Sequence, residues 1–406
     1  MTEAKPRRSI PSVRLTDAEA GAAEFPSSES REFNYYKPRK RRRTLYEDVT
    51  VDVQPDPNRH LLQGWLYSFA DGTAGYSLNW TKLKSSDWHA FRDPNEEWER
   101  TIYAYNSDVE EQIQQNIESA KIENAFQQWN GNWVQMVAKH VSAWMHPEHG
   151  LGMEVFLATQ RDAPTNMINN AIAVNSTHKL RFAQDIALYN LELSEQIPEF
   201  DGSVHKDIWL NDPHWQGVRE NVERMFELKD WAEAIFAANI IFEPLVGELF
   251  RSQFVMQLAA PHGDFVTPTL FGVAERDYER DLRWTRELFR MLAEDSGKKD
   301  QEQDLLIYSD KHPERKGSLS WAPKLYGLLE PTELEQAYGE ENKKIMQEWL
   351  RKWIPYSVAA ARQLQPLWSQ SSVKAVRFED AFDRVRTRFL NLLSDLRLEL
   401  PKEVQL

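Results

Sequence analysis

The chain of 406 residues contains no cysteine. That absence removes disulfides, cysteine-based zinc sites and iron–sulfur ligation together. Glycine is scarce, at 16 residues, which argues against a turn-rich β protein. No run of 18 uncharged apolar residues occurs, so no membrane-spanning helix is expected. The charged N-terminus is not followed by an apolar stretch, which excludes an ordinary secretory signal and leaves the cytoplasm as the expected location. A phosphate-binding glycine loop, a Gly-x-Ser-x-Gly elbow and a dinucleotide fingerprint are all missing.

What is present is aromatic area and uneven charge. The 15 Trp, 13 Tyr and 19 Phe supply ample surface for a large core, and the length allows one large domain with appendages or two domains. Net charge is −14, yet residues 1–50 carry 11 Lys/Arg against 8 Asp/Glu, leaving −17 on the remainder. An acidic body with a basic arm suits protein partners better than nucleic acid. Residues 1–45 read as an extended arm in which Phe33, Tyr35, Tyr36 and, just beyond it, Tyr46 alternate with Arg39, Arg41 and Arg42. Aromatics interleaved with arginine are what a segment needs to order itself on another protein. Residues 46–95 read as an irregular connection punctuated by Pro55, Pro57, Gly64, Gly72, Gly75 and Pro94, with a short strand expected over 49–53.

From residue 96 to about 400 the helical period dominates. Ser107-x-x-Glu110 reads as a capping box ahead of Val109, Ile113 and Ile117 on one face. A helix over 132–145 carries Trp133, Val137, Val141 and Trp144, and Pro147 is expected to stop it, leaving His146 and His149 in a loop. Long helices are predicted over 166–193, 231–258, 264–292, 342–368 and 378–396, with a charged linker at 294–304 and a second capping box at Thr332-x-x-Glu335. The two long apolar pairs, about 130–195 and 230–292, are compatible with a four-helix core. The predicted class is therefore all-α.

Within the helix over 166–193 the chain reads Asn175-Ser-Thr-His178, and the stretch resembles a core helix of a ferritin-like, carboxylate-bridged di-iron protein. In such helices Glu and His three residues apart project inward and hold one iron. Here the glutamate position is Asn175, whose neutral amide supplies no anionic oxygen. None of the 10 histidines is preceded by Glu at that spacing. A second frame, at Asp277-Tyr-Glu-Arg280, has Arg280 where a His would be needed. Its cation could neutralise buried acids in place of iron, or form an ordinary surface ion pair. Asn175, His178, Asp277 and Arg280 are thus degenerate ligand positions. Glu243 and Glu248, about 140° apart on a helix, cannot share a metal from one face.

Several longer motifs carry a family resemblance. They are residues 25–36 (FPSSESREFNYY), 44–57 (TLYEDVTVDVQPDP), 63–65 (QGW), 85–94 (SSDWHAFRDP), Trp98, 165–168 (TNMI) and 178–185 (HKLRFAQD). Together they resemble the small (β) subunit of a soluble di-iron monooxygenase hydroxylase, most like the propane monooxygenase type. The resemblance implies a ferritin-like bundle with additional helices and an extended arm. It implies no metal or cofactor in this chain and a scaffold role beside a large (α) subunit that holds two irons, in an α2β2 hydroxylase with or without a third small subunit. A coupling protein and a reductase with FAD and an iron–sulfur cluster, fed by NADH, complete the implied system. The competing reading is a self-contained helical metalloenzyme with unpatterned ligands such as Glu154, Glu243 and Asp277.

Overall fold

The structure is a computed structural model, and it describes residues 44–50, 80–297 and 337–406. The chain divides into two compact units, one of residues 1–78 with 297–336, the other of residues 79–296 with 337–406. All regular structure among the described residues is helical.

In the first unit the described segment is α1, Leu45–Thr50. Thr44 and Glu47 form a reciprocal cap: the Thr44 N–H donates to Glu47 Oε2 and the Glu47 N–H to Thr44 Oγ1, each at 3.2 Å. That cap corrects the expected strand over 49–53, because Val49 and Thr50 are helical; 51–53 lie outside the described residues. It also shows that the stretch expected to be irregular from residue 46 begins in a helix. Phe33, Tyr35, Tyr36, Arg39, Arg41 and Arg42 lie outside the described residues, as does the expected cap at Thr332. Tyr46 lies on α1 and is buried.

The second unit opens with turns and the short 3-10 segment Trp88–Ala90, then α2, Glu99–Ile122. This helix starts earlier than Ser107 suggested: the Trp98 N–H donates to Thr101 Oγ1 at 2.9 Å, and Ser107 is mid-helix. Next comes a helical run over 131–157, here α3, in which α-helical Gly131–Met136 and Met145–Gly150 alternate with π-helical Val137–Val141 and Leu151–Leu157. Pro147 does not stop it. The proline falls in the first turn of Met145–Gly150, after a 3-10 turn at Ser142–Trp144, where a missing N–H costs little. His146 and His149 are therefore helical rather than in a loop.

The remaining helices are α4, Asn166–Gln196; α5, His205–Asn211; α6, Gln216–Phe226; α7 over 231–259; α8, Thr267–Ala293; α9, Gly339–Gln370; and α10, Phe378–Asp395. Most of α7 is π-helical, at Phe236–Gly247 and Leu249–Val255, with Pro244 inside. In a π-helix the N–H of residue 244 would meet the carbonyl of residue 239. Pro244 has none, and the Asn239 carbonyl instead accepts the Tyr278 hydroxyl of α8 at 3.3 Å.

Helices α3, α4, α8 and α7 pack in a ring as a four-helix bundle. Trp144 of α3 stacks on Phe250 of α7 at 4.7 Å, and Phe182 of α4 meets Phe271 of α8 edge-on at 5.0 Å. Helix α9 covers α7 through Phe236–Trp349 and holds α6 through the Asn221–Ser357 hydrogen bond of 2.8 Å. Gly217 of α6 is required at that crossing, since a Cβ there would lie 2.9 Å from the Cα of Ala360. Helix α10 closes another flank of α7. Among the described residues no helix is long and apolar enough to cross a membrane.

Candidate functional site

Near its centre the bundle carries a layer of buried charged and polar side chains to which all four helices contribute. The layer has two adjoining parts. In one, two buried cations meet three carboxylates. Lys179 of α4 donates to Glu243 of α7 at 2.5 Å and lies 3.1 Å from Glu148 of α3. Arg251 of α7 spans three acids: Nη2 to Glu243 at 2.6 Å, Nη1 to Glu148 at 3.0 Å and Nε to Glu275 of α8 at 2.7 Å. Trp144 adds a hydrogen bond to Glu148 at 2.7 Å. Gly247, one turn from both partners, makes the Glu243–Arg251 contact possible, because a Cβ there would sit 2.3 Å from Glu243 Oε2.

In the other part, His178 of α4 bonds through Nδ1 to Asp281 of α8 at 2.8 Å, and its Nε2 lies 4.0 Å from Asp277. Asn175 donates to the second oxygen of Asp281 at 2.9 Å and accepts from Asn239 of α7 at 2.6 Å. Asn239 also donates to Thr285 at 2.8 Å. Arg181 pairs with both Asp185 and Asp277. The layer is thus hydrogen-bonded across α4, α7 and α8.

Electrostatics keep the cationic groups charged. Burial alone would lower Lys179, but Glu148 and Glu243 outweigh it and raise its pKa. Arg251 follows the same balance and is held well above its ordinary value. Burial would raise Glu243, yet Arg251 and Lys179 hold it below the usual carboxylate range. For His178, burial is opposed by Asp281 and Asp277, and the ring ends above its ordinary value. Asp281 and Glu275 are raised, burial being the larger effect in each.

This donor set does not fit a pair of iron ions. Glu148 and Glu243, the carboxylates that α3 and α7 turn inward, already have an ammonium and a guanidinium as partners. Asn175 is engaged through both ends of its amide. Among the described residues no group of three or more His, Asp or Glu side chains is arranged to hold a metal ion.

The sequence-derived positions separate as follows. Asn175, His178 and Asp277 meet in the layer. Arg280 does not: it points away from the bundle centre, pairs with Glu97 and lies over the Tyr105 ring of α2 at 4.0 Å. The inward residues of α8 are Asp277 and Asp281, a spacing of four, so the frame ending at Arg280 was displaced by one residue. The ligands of the competing metalloenzyme reading do not assemble, because Glu154 is exposed and Glu243 is held by Lys179 and Arg251. His146 lies against His205 of α5, with their ring nitrogens 2.9 Å apart, while His149 is exposed. Sequence reasoning missed Lys179, Arg251, Glu148 and Asp281. Arg251, the one basic residue in the strongly apolar run over 231–259, was the available signal.

A four-helix bundle with a buried charged layer places the chain among helical-bundle proteins, and comparison with known proteins gives the family. Residues 65–296 match the family described as methane/phenol/alkene hydroxylase. The chain belongs to that family. It is 49% identical over 398 residues, 98% of this chain and 97% of the other, to the small subunit of the hydroxylase component of propane 2-monooxygenase from Rhodococcus jostii (strain RHA1). The corresponding subunit from Gordonia sp. (strain TY-5) is 48% identical over 99% of this chain and 98% of its own length. In fold, the chain is similar to the crystal structure of xenon-pressurised phenol hydroxylase from Pseudomonas sp. OX1, with a TM-score of 0.67 at 17% identity, covering 93% of this chain and 99% of that one.

Proposed function

We propose that this chain is the non-catalytic small (β) subunit of the hydroxylase of a multicomponent, NADH-dependent di-iron monooxygenase. The system would insert one oxygen atom from O₂ into propane or a similar small hydrocarbon. The observation that carries this reading is the central layer, where Lys179 and Arg251 neutralise the inward carboxylates of the bundle. Near-full-length similarity to small subunits of propane 2-monooxygenase supports the substrate class. On this reading a large (α) partner holds two irons, and the hydroxylase is α2β2 with or without a third small subunit. A coupling protein and a reductase carrying FAD and an iron–sulfur cluster serve it in the cytoplasm.

What this chain contributes is shape. Its bundle is fixed internally by the charged layer, and its arm, with Phe33, Tyr35, Tyr36, Arg39, Arg41 and Arg42, orders on the partner, whereas Tyr46, expected among these anchors, is buried on α1. The test is turnover per partner-bound iron in a hydroxylase carrying His178→Gln. A scaffold leaves that ratio unchanged when assembly is intact. Loss of turnover with assembly and iron preserved would make this chain part of the chemistry.

A further inference from the structure

Several buried polar atoms of the layer lack a hydrogen-bond partner among the described residues, Arg181 Nε and Asn239 Oδ1 among them, and two of these atoms face each other. His178 Nε2 and Asp277 Oδ1 have no hydrogen-bond partner among the described residues, although both side chains are almost wholly buried. Their separation of 4.0 Å is too long for a direct hydrogen bond and short enough for one atom to bond both. The Tyr105 hydroxyl of α2 makes no well-formed hydrogen bond among the described residues and only approaches Asp277. It lies close enough to Asp277 that the carboxylate, added to the larger effect of burial, takes it to about 12. Leaving such groups unpaired costs about 1–3 kcal/mol each, so native interiors rarely do so without a bound partner.

We infer that His178, Asp277 and Tyr105 bind a single internal water molecule, which ties α2 to the centre of the bundle. The chemistry of the three atoms selects the ligand. His178, with Nδ1 committed to Asp281, offers an N–H at Nε2 when its ring is protonated, and Asp277 Oδ1 only accepts. Tyr105 can do either. A bound anion would face the Asp277 carboxylate. A metal cation would face the Arg181 guanidinium on the other Asp277 oxygen and would compete with a proton for Nε2. Water accepts from His178, donates to Asp277 and uses its remaining site for Tyr105, which gives it the two to four partners a buried water needs. The position retained from a ligand frame thus holds solvent, with protein cations supplying the positive charge nearby.

A crystal structure of the full-length chain, with any subunit that copurifies, tests this at a resolution that orders internal solvent. Diffraction is recorded above and below the iron and zinc absorption edges. The expected result is one solvent peak within hydrogen-bond distance of His178 Nε2, Asp277 Oδ1 and Tyr105 Oη, with no anomalous signal. In Asp277→Asn, which keeps an acceptor oxygen, the peak persists; in Asp277→Leu it is lost. A direct His178–Asp277 hydrogen bond with no peak would overturn the inference, and so would an anomalous peak. If the leucine variant does not fold, the wild-type map alone decides. The outcome is independent of whether a larger subunit copurifies.

Discussion

At the residue scale, the account turns on charges that are buried and paired. Removing one member of such a set leaves its partner charged in a low-dielectric interior, at a cost of about 3–5 kcal/mol. Lys179→Met should therefore lower the unfolding midpoint strongly, and Lys179→Met combined with Glu148→Gln should recover part of the loss. Chemical unfolding of the two variants beside wild type checks this, and equal midpoints for all three would show that the layer is not a coupled network. Glu248 gives a pH-dependent prediction. Burial is the main cause that raises it to about 7, with Arg388 opposing. A carboxyl raised in the folded state contributes stability that is present below its unfolded value near 4.5 and is lost as pH rises through about 7. Glu248→Gln should thus match wild type near pH 5 and exceed it at pH 8.5 by up to about 3 kcal/mol. Unfolding measured at both pH values tests the sign, and a destabilised variant at pH 8.5 would contradict it.

At the scale of elements, much of the helix inventory was legible because apolar residues recur at helical spacing. Val109, Ile113 and Ile117 are buried on α2, and Phe378, Phe382, Val385 and Phe389 on α10, as their spacing required. Less legible was anything that depended on backbone register. Pro147 sits in the α-helical turn Met145–Gly150 of α3 and Pro244 in the π-helical part of α7, both within helical runs, and a reading based on 3.6 residues per turn takes the first proline as a stop. The site was partly legible for a related reason. Asn175 and His178 stood out because they occupy a known frame, and Glu243 because it is an acid in an apolar run. Their partners could not be read, since Glu148 and Arg251 are 103 residues apart and meet only through the fold. On α8 an assumed spacing of three selected Arg280 in place of Asp281. The arm belongs to this scale too. Deleting residues 1–43, which spares the Thr44 cap of α1, should weaken co-purification with a larger partner while circular dichroism shows the helices intact. Unchanged assembly would mean that Phe33, Tyr35, Tyr36 and their arginines have no docking role.

At the scale of the whole molecule, the bundle combines a four-helix architecture with an interior that supplies its own cations. A chain of this kind is expected to depend on a partner for both solubility and purpose. Exposed apolar side chains such as Ile122, Leu191 and Phe265 are consistent with that dependence. Expressed alone, the chain should aggregate or give poor yield; a monodisperse monomer at micromolar concentration would count against it. The most direct test of the central claim is metal analysis after co-expression with a large hydroxylase subunit, the two chains being separated under conditions that retain bound iron. The account predicts that the iron follows the larger chain, with far less than one equivalent on this one. Iron at about two per copy of this chain, the content of a complete di-iron site, would contradict it.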